Sequence, residues 1–391
     1  MNLPHGIACD LNINRLDLKT GSIVLYNKEL HTKLRLQKEK IDDTEDEWDK
    51  MKKLANPYEL VHSSNLKEKK EKSISSYNPL SRSFFKLTEI IYKYSLFNKV
   101  QLPIYMFGIA EGPGGFLEAF YIYRKKHCKN NNNINIKDKI NGITLYPNNK
   151  YIPSWNKINE RFSGINTVYG DIYKKDVINN LSRKYNNKCY LVTADGGFDY
   201  SVDFNNQELN SSKIILAELV LCFKIQQIGG VFVIKFFDFF NSITIKLLYL
   251  IYMHYDHVDI FKPLTSRPAN SEKYIIAKGF KGINNSLLIQ LEELLYKWTD
   301  NKDHYDIIGL NIHDDFYYCI NNYNIQFVEN QLKYIKNTLD LIDKKLTKEN
   351  YKEIINKQVE NALDWVNKHN MEINKKSKYY IKFNYYRLTS R

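Results

Sequence analysis

Chemistry is most visible at Lys235, which sits in the middle of the apolar run GGVFVIKFFDFF. A lysine there is costly to bury unless it is paired or stands at the functional end of a strand. Burial can also depress a lysine's pKa far enough for the amine to accept a proton near neutrality. Asp195, in TADGGF, follows a strand directly, where it either projects into a crevice at the strand's carboxyl end or caps its own loop. Glu272 in SRPANSEKY and Lys86 in SRSFFKL are, taken singly, ordinary surface charges. Together the four make two lysines and two acids converging on one crevice, a set suited to proton transfer.

A second signal is FGIAEGPGGF, Phe107 to Phe116. A strand, a glycine turn and a helix start place backbone N–H groups beside whatever binds there, with no side chains in the way. The string is not GxGxxG, and it lacks the Lys-Ser/Thr of a phosphate-binding loop, so nucleoside triphosphate binding is disfavoured. A purely structural tight turn is the alternative. Asp171 in YGDI also follows a strand end, where it either reaches an adenine or ribose or caps the next helix.

These residues need a frame. Helix patterns cover Ser83 to Tyr94, Phe116 to His127, Tyr173 to Tyr185, Glu208 to Ile228 and Ile243 to Tyr255. Between them the apolar runs Pro103 to Ile109, Ile140 to Leu145, Ile165 to Tyr169, Cys189 to Ala194 and Val231 to Phe236 read as strands. That rhythm predicts an α/β fold with a mostly parallel sheet covered on both faces. Val258 to Phe261 and Tyr274 to Lys278 are separated by too little chain for a helical crossover, so they pair antiparallel and put a reversed strand in the sheet. The first 80 residues read as a helical and linker extension. Amphipathic helix patterns run from Asn27 to Leu54, Asn56-Pro57 stops them, and KEKKEKSISS, Lys67 to Ser76, reads as an exposed linker. The Asn-rich stretch from Asn130 reads as a surface loop. After Gly282 the chain turns helical again, over Ser286 to Trp298, Asn330 to Lys345 and Tyr351 to Lys368. The expected domains are 1–80, 81–282 and 283–391.

Composition bounds the rest. With 43% hydrophobic and 14% aromatic residues, the chain can bury a core, and 16 Gly and 9 Pro exclude a collagen-like or linker-like chain. The longest apolar segment, Ile243 to Met253, is short and carries Lys246, so no membrane partner is expected. No secretory signal is visible in MNLPHGIACDLN, which predicts an intracellular protein. Five scattered cysteines without a CxxC pair argue against a disulfide framework or a zinc cluster, and no metal site is expected. A net charge of +13 is compatible with a polyanionic partner or with a solvated surface alone.

Motif by motif, the chain resembles the FtsJ-like (RrmJ-type) ribose 2'-O-methyltransferases. It is most similar to their cap-specific mRNA branch, found in eukaryotes and in large cytoplasmic DNA viruses. The family's Lys, Asp, Lys, Glu tetrad falls in order on Lys86, Asp195, Lys235 and Glu272, and the resemblance is strong over about residues 80 to 280. It implies a Rossmann-like methyltransferase fold with a seven-stranded sheet. It also implies S-adenosylmethionine as cofactor, held at Glu111, Gly112, Pro113, Gly114, Gly115, Phe116, Gly170, Asp171 and Asp195. Lys235 becomes the general base for a ribose 2'-OH, with capped mRNA as the RNA partner and the capping or transcription machinery as further partners. Arg267 and Asn270 become RNA-backbone contacts. One departure is Gly108, where the family usually carries an acid at the end of the first strand; Glu111 is the candidate replacement. Another is TLYP after the second strand, which has no carboxylate for the ribose hydroxyls, a feature that cap-type relatives share. Methylation of ribosomal or other RNA is the second reading, and a non-catalytic RNA-binding subunit the third. If the chain is viral, the location is the host cytoplasm or virion; if cellular, the nucleus.

Overall fold

The apolar runs become the strands of one mixed sheet in the computed structural model, which describes residues 3, 15–21, 24–63, 69–98, 100, 103–128, 138–148, 152–197, 206–299, 305–344 and 346–389. The Asn-rich stretch from Asn130, Cys9 and Phe198 lie outside the described residues. The strands are β1 Asp17–Thr20, β2 Tyr105–Ile109, β3 Lys139–Thr144, β4 Ile165–Tyr169, β5 Cys189–Ala194, β6 Gln226–Phe236, β7 Tyr255–Phe261, β8 Lys273–Phe280 and β9 Tyr305–Ile308. The chain divides into two units. The first holds Met1–His31, Leu96–Lys262 and Glu272–Gln326; the second holds Thr32–Ser95, Pro263–Ser271 and Phe327–Arg391.

In the first unit the main sheet runs in the order β4-β3-β2-β5-β6-β8-β7. Strands β2 to β6 are parallel, and β8 slots between β6 and β7 antiparallel to both, which is the expected reversed strand. Chain direction across the sheet reverses between β2 and β5, and in such sheets the crevice outside the carboxyl ends of the strands is the binding position. Sterics set how closely a helix approaches that crevice. Gly108 and Gly142 are register partners on β2 and β3, and Leu117 of the helix Gly115–Cys128 fills the space both leave, lying 2.8 Å from where a Cβ would stand on either. A side chain at either position would lift the helix off the strands.

One boundary, one strand pair and one linker differ from expectation. The helix pattern read to Ile228 ends at Ile225, because Gln226 already has extended φ and ψ and pairs with Cys189 as the first residue of β6. A small antiparallel pair, β1 with β9, went unread in the sequence, since four-residue strands leave almost no periodic signal. In the stretch Lys67 to Ser76, expected to be an exposed linker, Lys67 and Glu68 lie outside the described residues, and the middle of the described part is not exposed. Ser73, Ile74 and Ser75 are buried, with Ile74 and Ser75 donating their backbone N–H groups to Leu60 and Val61. Their polar composition concealed strand-like pairing, which needs backbone groups and not apolar side chains.

The second unit is helical. It contains Glu45–Leu54, Ser83–Tyr94, Lys348–Lys368, Lys378–Thr389 and the carboxyl-terminal part of Asp314–Asp343. Trp365 anchors its core, edge-on to Phe85 at 5.4 Å and stacked on His369 at 4.1 Å. The Gln358 amide donates to the carbonyls of Lys53, Leu54 and Asn56, satisfying acceptors that the end of the helix Glu45–Leu54 leaves open.

Candidate active site

The first unit brings Asp195 and Lys235 together where β5 and β6 run side by side toward their carboxyl ends. Lys235 Nζ lies 3.2 Å from Asp195 Oδ1 and donates to the Asp195 carbonyl oxygen at 2.8 Å. Both side chains are nearly buried, at 12% and 16% exposure, so the pair is shielded from water yet reachable. A buried lysine without such acceptors would be expensive, and this pairing explains the break in an otherwise apolar strand. Tyr274 sits directly opposite Lys235 on β8 and donates its hydroxyl to the same Asp195 oxygen at 2.8 Å. Tyr274 was missed in the sequence, although it ends the SRPANSEKY string; the antiparallel register of β6 and β8 is what brings it to Asp195.

The glycine turn borders this pair. Its backbone is tight: Ala110 adopts φ +54°, Gly114 adopts φ +105°, and the Gly114 N–H donates to the Glu111 carbonyl at 2.6 Å. A Cβ at Gly112 would stand 2.8 Å from the Pro153 carbonyl and 2.9 Å from Thr144 Oγ1. Gly115 opens the following helix, and Phe116 is fully buried, its ring 5.7 Å from that of Tyr274. Glu111 folds back over Gly108, with its Cγ only 2.6 Å from where a Cβ on Gly108 would be. Its methylene stem therefore fills the space that a side chain at 108 would occupy, and its carboxyl accepts a hydrogen bond from Thr193 Oγ1 at 2.8 Å. Burial, then the neighbouring Asp195 charge, pushes the Glu111 carboxyl well above the ordinary carboxylate range.

At the far edge of the crevice, Gly170 donates its N–H to the Thr144 carbonyl, and Asp171 Oδ1 accepts from the Tyr173 N–H at 2.9 Å. Asp171 thus stabilises the turn entering the helix Lys175–Tyr185, with one carboxylate oxygen committed to that bond. Tyr146 and Tyr169, both exposed at the ends of β3 and β4, meet edge to face at 5.3 Å. Glu272 immediately precedes β8, and its backbone carbonyl accepts from Lys262 Nζ at 2.9 Å.

The other predicted residues belong to the second unit. Lys86 lies on the helix Ser83–Tyr94, partly exposed. Three residues along, Glu89 is buried and accepts from the backbone N–H groups of Leu264 and Thr265 and from the Thr265 hydroxyl. Those bonds tie the segment just before SRPANS to the helix that carries Lys86. Within the loop, Arg267 pairs with Glu59 at 3.4 Å, while Asn270 donates its N–H to the Arg267 carbonyl and receives the Ser266 hydroxyl.

Known proteins share this chain's pattern. The profile of the FtsJ-like methyltransferases matches residues 79–280, just over half of the chain. A mouse protein named cap-specific mRNA (nucleoside-2'-O-)-methyltransferase 1 is 32% identical over 188 residues, covering 46% of this chain and 22% of its own length. The protein of that name from Dictyostelium discoideum is 34% identical over 248 residues, covering 59% of this chain and 31% of its own. The match thus spans less than a third of these relatives' length. Among solved structures, the chain is similar to one described as a ribosomal RNA methyltransferase from Plasmodium falciparum, with TM-score 0.40 and 22% identity over 52% of this chain and 99% of that one.

Proposed function

Because this chain belongs to the FtsJ-like methyltransferase family, we propose that it moves the methyl group of S-adenosylmethionine to a ribose 2'-OH of RNA, and specifically to the first transcribed nucleotide of a capped mRNA. The observation that carries this reading is the Lys235–Asp195 pair at the strand ends beside the glycine turn. The cap assignment draws on the name carried by the relatives.

The residues at the turn suit such a donor. Glu111 offers a buried carboxyl for the amino-acid ammonium, Gly112 to Phe116 offer an open backbone and helix start, and Gly170 and Asp171 stand at the strand edge for the nucleoside. When bound, S-adenosylmethionine supplies a methyl group on a positively charged sulfur, an already activated leaving group. What the protein must add is a deprotonated, aligned hydroxyl, because a ribose 2'-OH is a very weak acid. Lys235 Nζ, as the free amine, would accept the hydroxyl proton as the oxygen–carbon bond forms and the carbon–sulfur bond of the donor breaks, its electron pair staying on sulfur. The ammonium so produced is held by Asp195 Oδ1 and by the Asp195 carbonyl. Tyr274 fixes the Asp195 carboxylate from the opposite strand. The family's motif order adds Lys86 and Glu272 as the other proposed members of the tetrad, and Arg267 and Asn270 as the proposed RNA contacts.

The test is transfer of labelled methyl to matched capped and uncapped transcripts, followed by nuclease mapping of the modified ribose. Methyl on the first transcribed ribose of the capped RNA is expected, and Lys235→Ala should abolish it while cofactor binding persists. Cap-indifferent labelling would move the substrate to another RNA class. Wild-type activity in Lys235→Ala would sink the base assignment.

A further inference from the structure

Glu218 has no part in the mechanism above, yet it is the only acid on the helix Ser212–Ile225 and is 1% exposed among leucines, isoleucines and a phenylalanine. A buried carboxyl in such company is costly unless it does something for its neighbours. Its Oε1 accepts a hydrogen bond from the Gly196 N–H at 3.1 Å. That N–H belongs to the same peptide group as the Asp195 carbonyl, the oxygen that receives Lys235 Nζ at 2.8 Å. The peptide group is planar, so fixing its N–H fixes its carbonyl. Lys235, the Asp195–Gly196 peptide and Glu218 therefore form one hydrogen-bonded row, in which each bond polarises the next.

Sterics hold the peptide in that row. A Cβ on Gly196 would fall 2.3 Å from Glu218 Oε1, 2.7 Å from Ile214 Cδ1 and 3.1 Å from the Cβ of Ala110. The peptide is thus clamped between the helix and the glycine turn, and only glycine lets it sit there.

We propose that Glu218 is a positioning residue for methyl transfer, aligning Lys235 through the peptide plane between Asp195 and Gly196. This rests on the reading of Lys235 as the base. The charged and titratable groups facing Glu218 are Lys235 on β6, Asp195 after β5, Glu111 in the glycine turn and Cys222 one turn along its own helix. Burial raises the Glu218 carboxyl from 4.5 to about 8, against the lowering effect of Lys235 and of the Gly196 bond. At neutral pH Glu218 is mostly uncharged and still accepts the Gly196 N–H. Above that range it becomes an anion beside Lys235, which favours the ammonium form and opposes the base.

The experiment compares Glu218→Leu and Glu218→Gln with wild type. Leucine removes the acceptor, and we expect kcat to fall about 30-fold with KM for RNA and cofactor affinity within about twofold. Glutamine keeps an acceptor oxygen and should recover most of that loss. Because it cannot ionise, the ratio of its kcat to wild type should rise about threefold or more between about pH 7 and 9. Wild-type kcat in the leucine variant overturns the proposal. So does a folded leucine variant whose loss glutamine does not rescue, or a ratio that stays flat with pH. If the leucine variant does not fold, the glutamine ratio alone decides. A wild-type protein that methylates no RNA would remove the activity reading instead. Hydrogen exchange at the Gly196 amide then tests the link directly: faster exchange in a folded Glu218→Leu supports it, and unchanged exchange overturns it.

Discussion

At the scale of single residues, the site is a row of acids with different surroundings. Asp195 receives Lys235 and Tyr274, whereas Glu111 and Glu218 are buried and lifted toward their neutral forms. Three anions around one lysine would favour its ammonium form, so lifting Glu111 and Glu218 toward neutrality in the cofactor-free protein suits the proposed role of Lys235 as a base. Tyr274→Phe removes a buried hydrogen bond to the remaining partner, Asp195. Bonds to charged groups contribute about 1.5–3 kcal/mol, so kcat should drop at least about tenfold while cofactor affinity stays put; a phenylalanine variant with wild-type kcat would show that the hydroxyl is idle. Glu111 gives a prediction with a definite sign. If it meets the cofactor ammonium, that cation must draw its proton off, so S-adenosylmethionine affinity should rise as pH climbs above the ordinary carboxylate range. Calorimetry over that climb in pH checks it: Glu111→Gln should weaken binding and flatten the dependence, and a flat wild-type profile would detach Glu111 from the cofactor.

At the scale of elements, the loop after β6 is pinned by a second buried acid. Glu208 Oε1 accepts from the backbone N–H groups of Phe240 and Asn241, at 2.9 and 2.7 Å, and Lys273 pairs with Asp238 at 3.3 Å in the same loop. Burial, aided by Asp238, raises Glu208 from 4.5 to about 8. A carboxyl raised by folding binds its proton more tightly in the folded state, so between 4.5 and about 8 the folded protein holds more protons and loses stability as pH rises. Thermal unfolding should therefore show Tm falling from pH 5 to 8, with Glu208→Gln flattening part of the slope; a Tm that climbs across this window would refute the buried-acid account. Most of these elements were legible in the sequence, because a buried parallel strand is an apolar run and a covering helix is a striped one. Helix Ser83–Tyr94 and strands β4 and β5 match their expected bounds residue for residue. What was not legible had no side-chain signature. The helix Asp314–Asp343 begins 16 residues before the pattern read at Asn330, because its buried stripe of Phe316, Ile320, Tyr323 and Val328 is diluted by asparagines of low helix propensity. Among site residues, motif order pointed to Asp195 and Lys235, which the fold pairs, whereas Glu218 looks like any acid on a helix until the fold brings it to Gly196.

At the scale of the whole molecule, the +13 net charge acquires a direction only through the site. Charge by itself is non-directional and serves solubility as well as binding. An RNA substrate would be recognised in part by its phosphates, and neutralising them releases counterions, whereas a donor of small net charge releases almost none. The two ligands should therefore separate on a salt titration. For a single-stranded RNA touching about four phosphates, log affinity should fall against log salt with a slope of about −3, roughly 50-fold between about 50 and 200 mM. Cofactor affinity over the same range should change less than about twofold, since the Glu111 carboxyl is buried from the ionic atmosphere. Filter binding for RNA and calorimetry for the cofactor measure both on one preparation. If RNA affinity proves as flat as cofactor affinity, the basic excess is a solvated surface and the substrate is held by its bases and ribose alone. If both fall steeply, the glycine turn is an anion site, and the assignment of Glu111 to a cationic group fails with it.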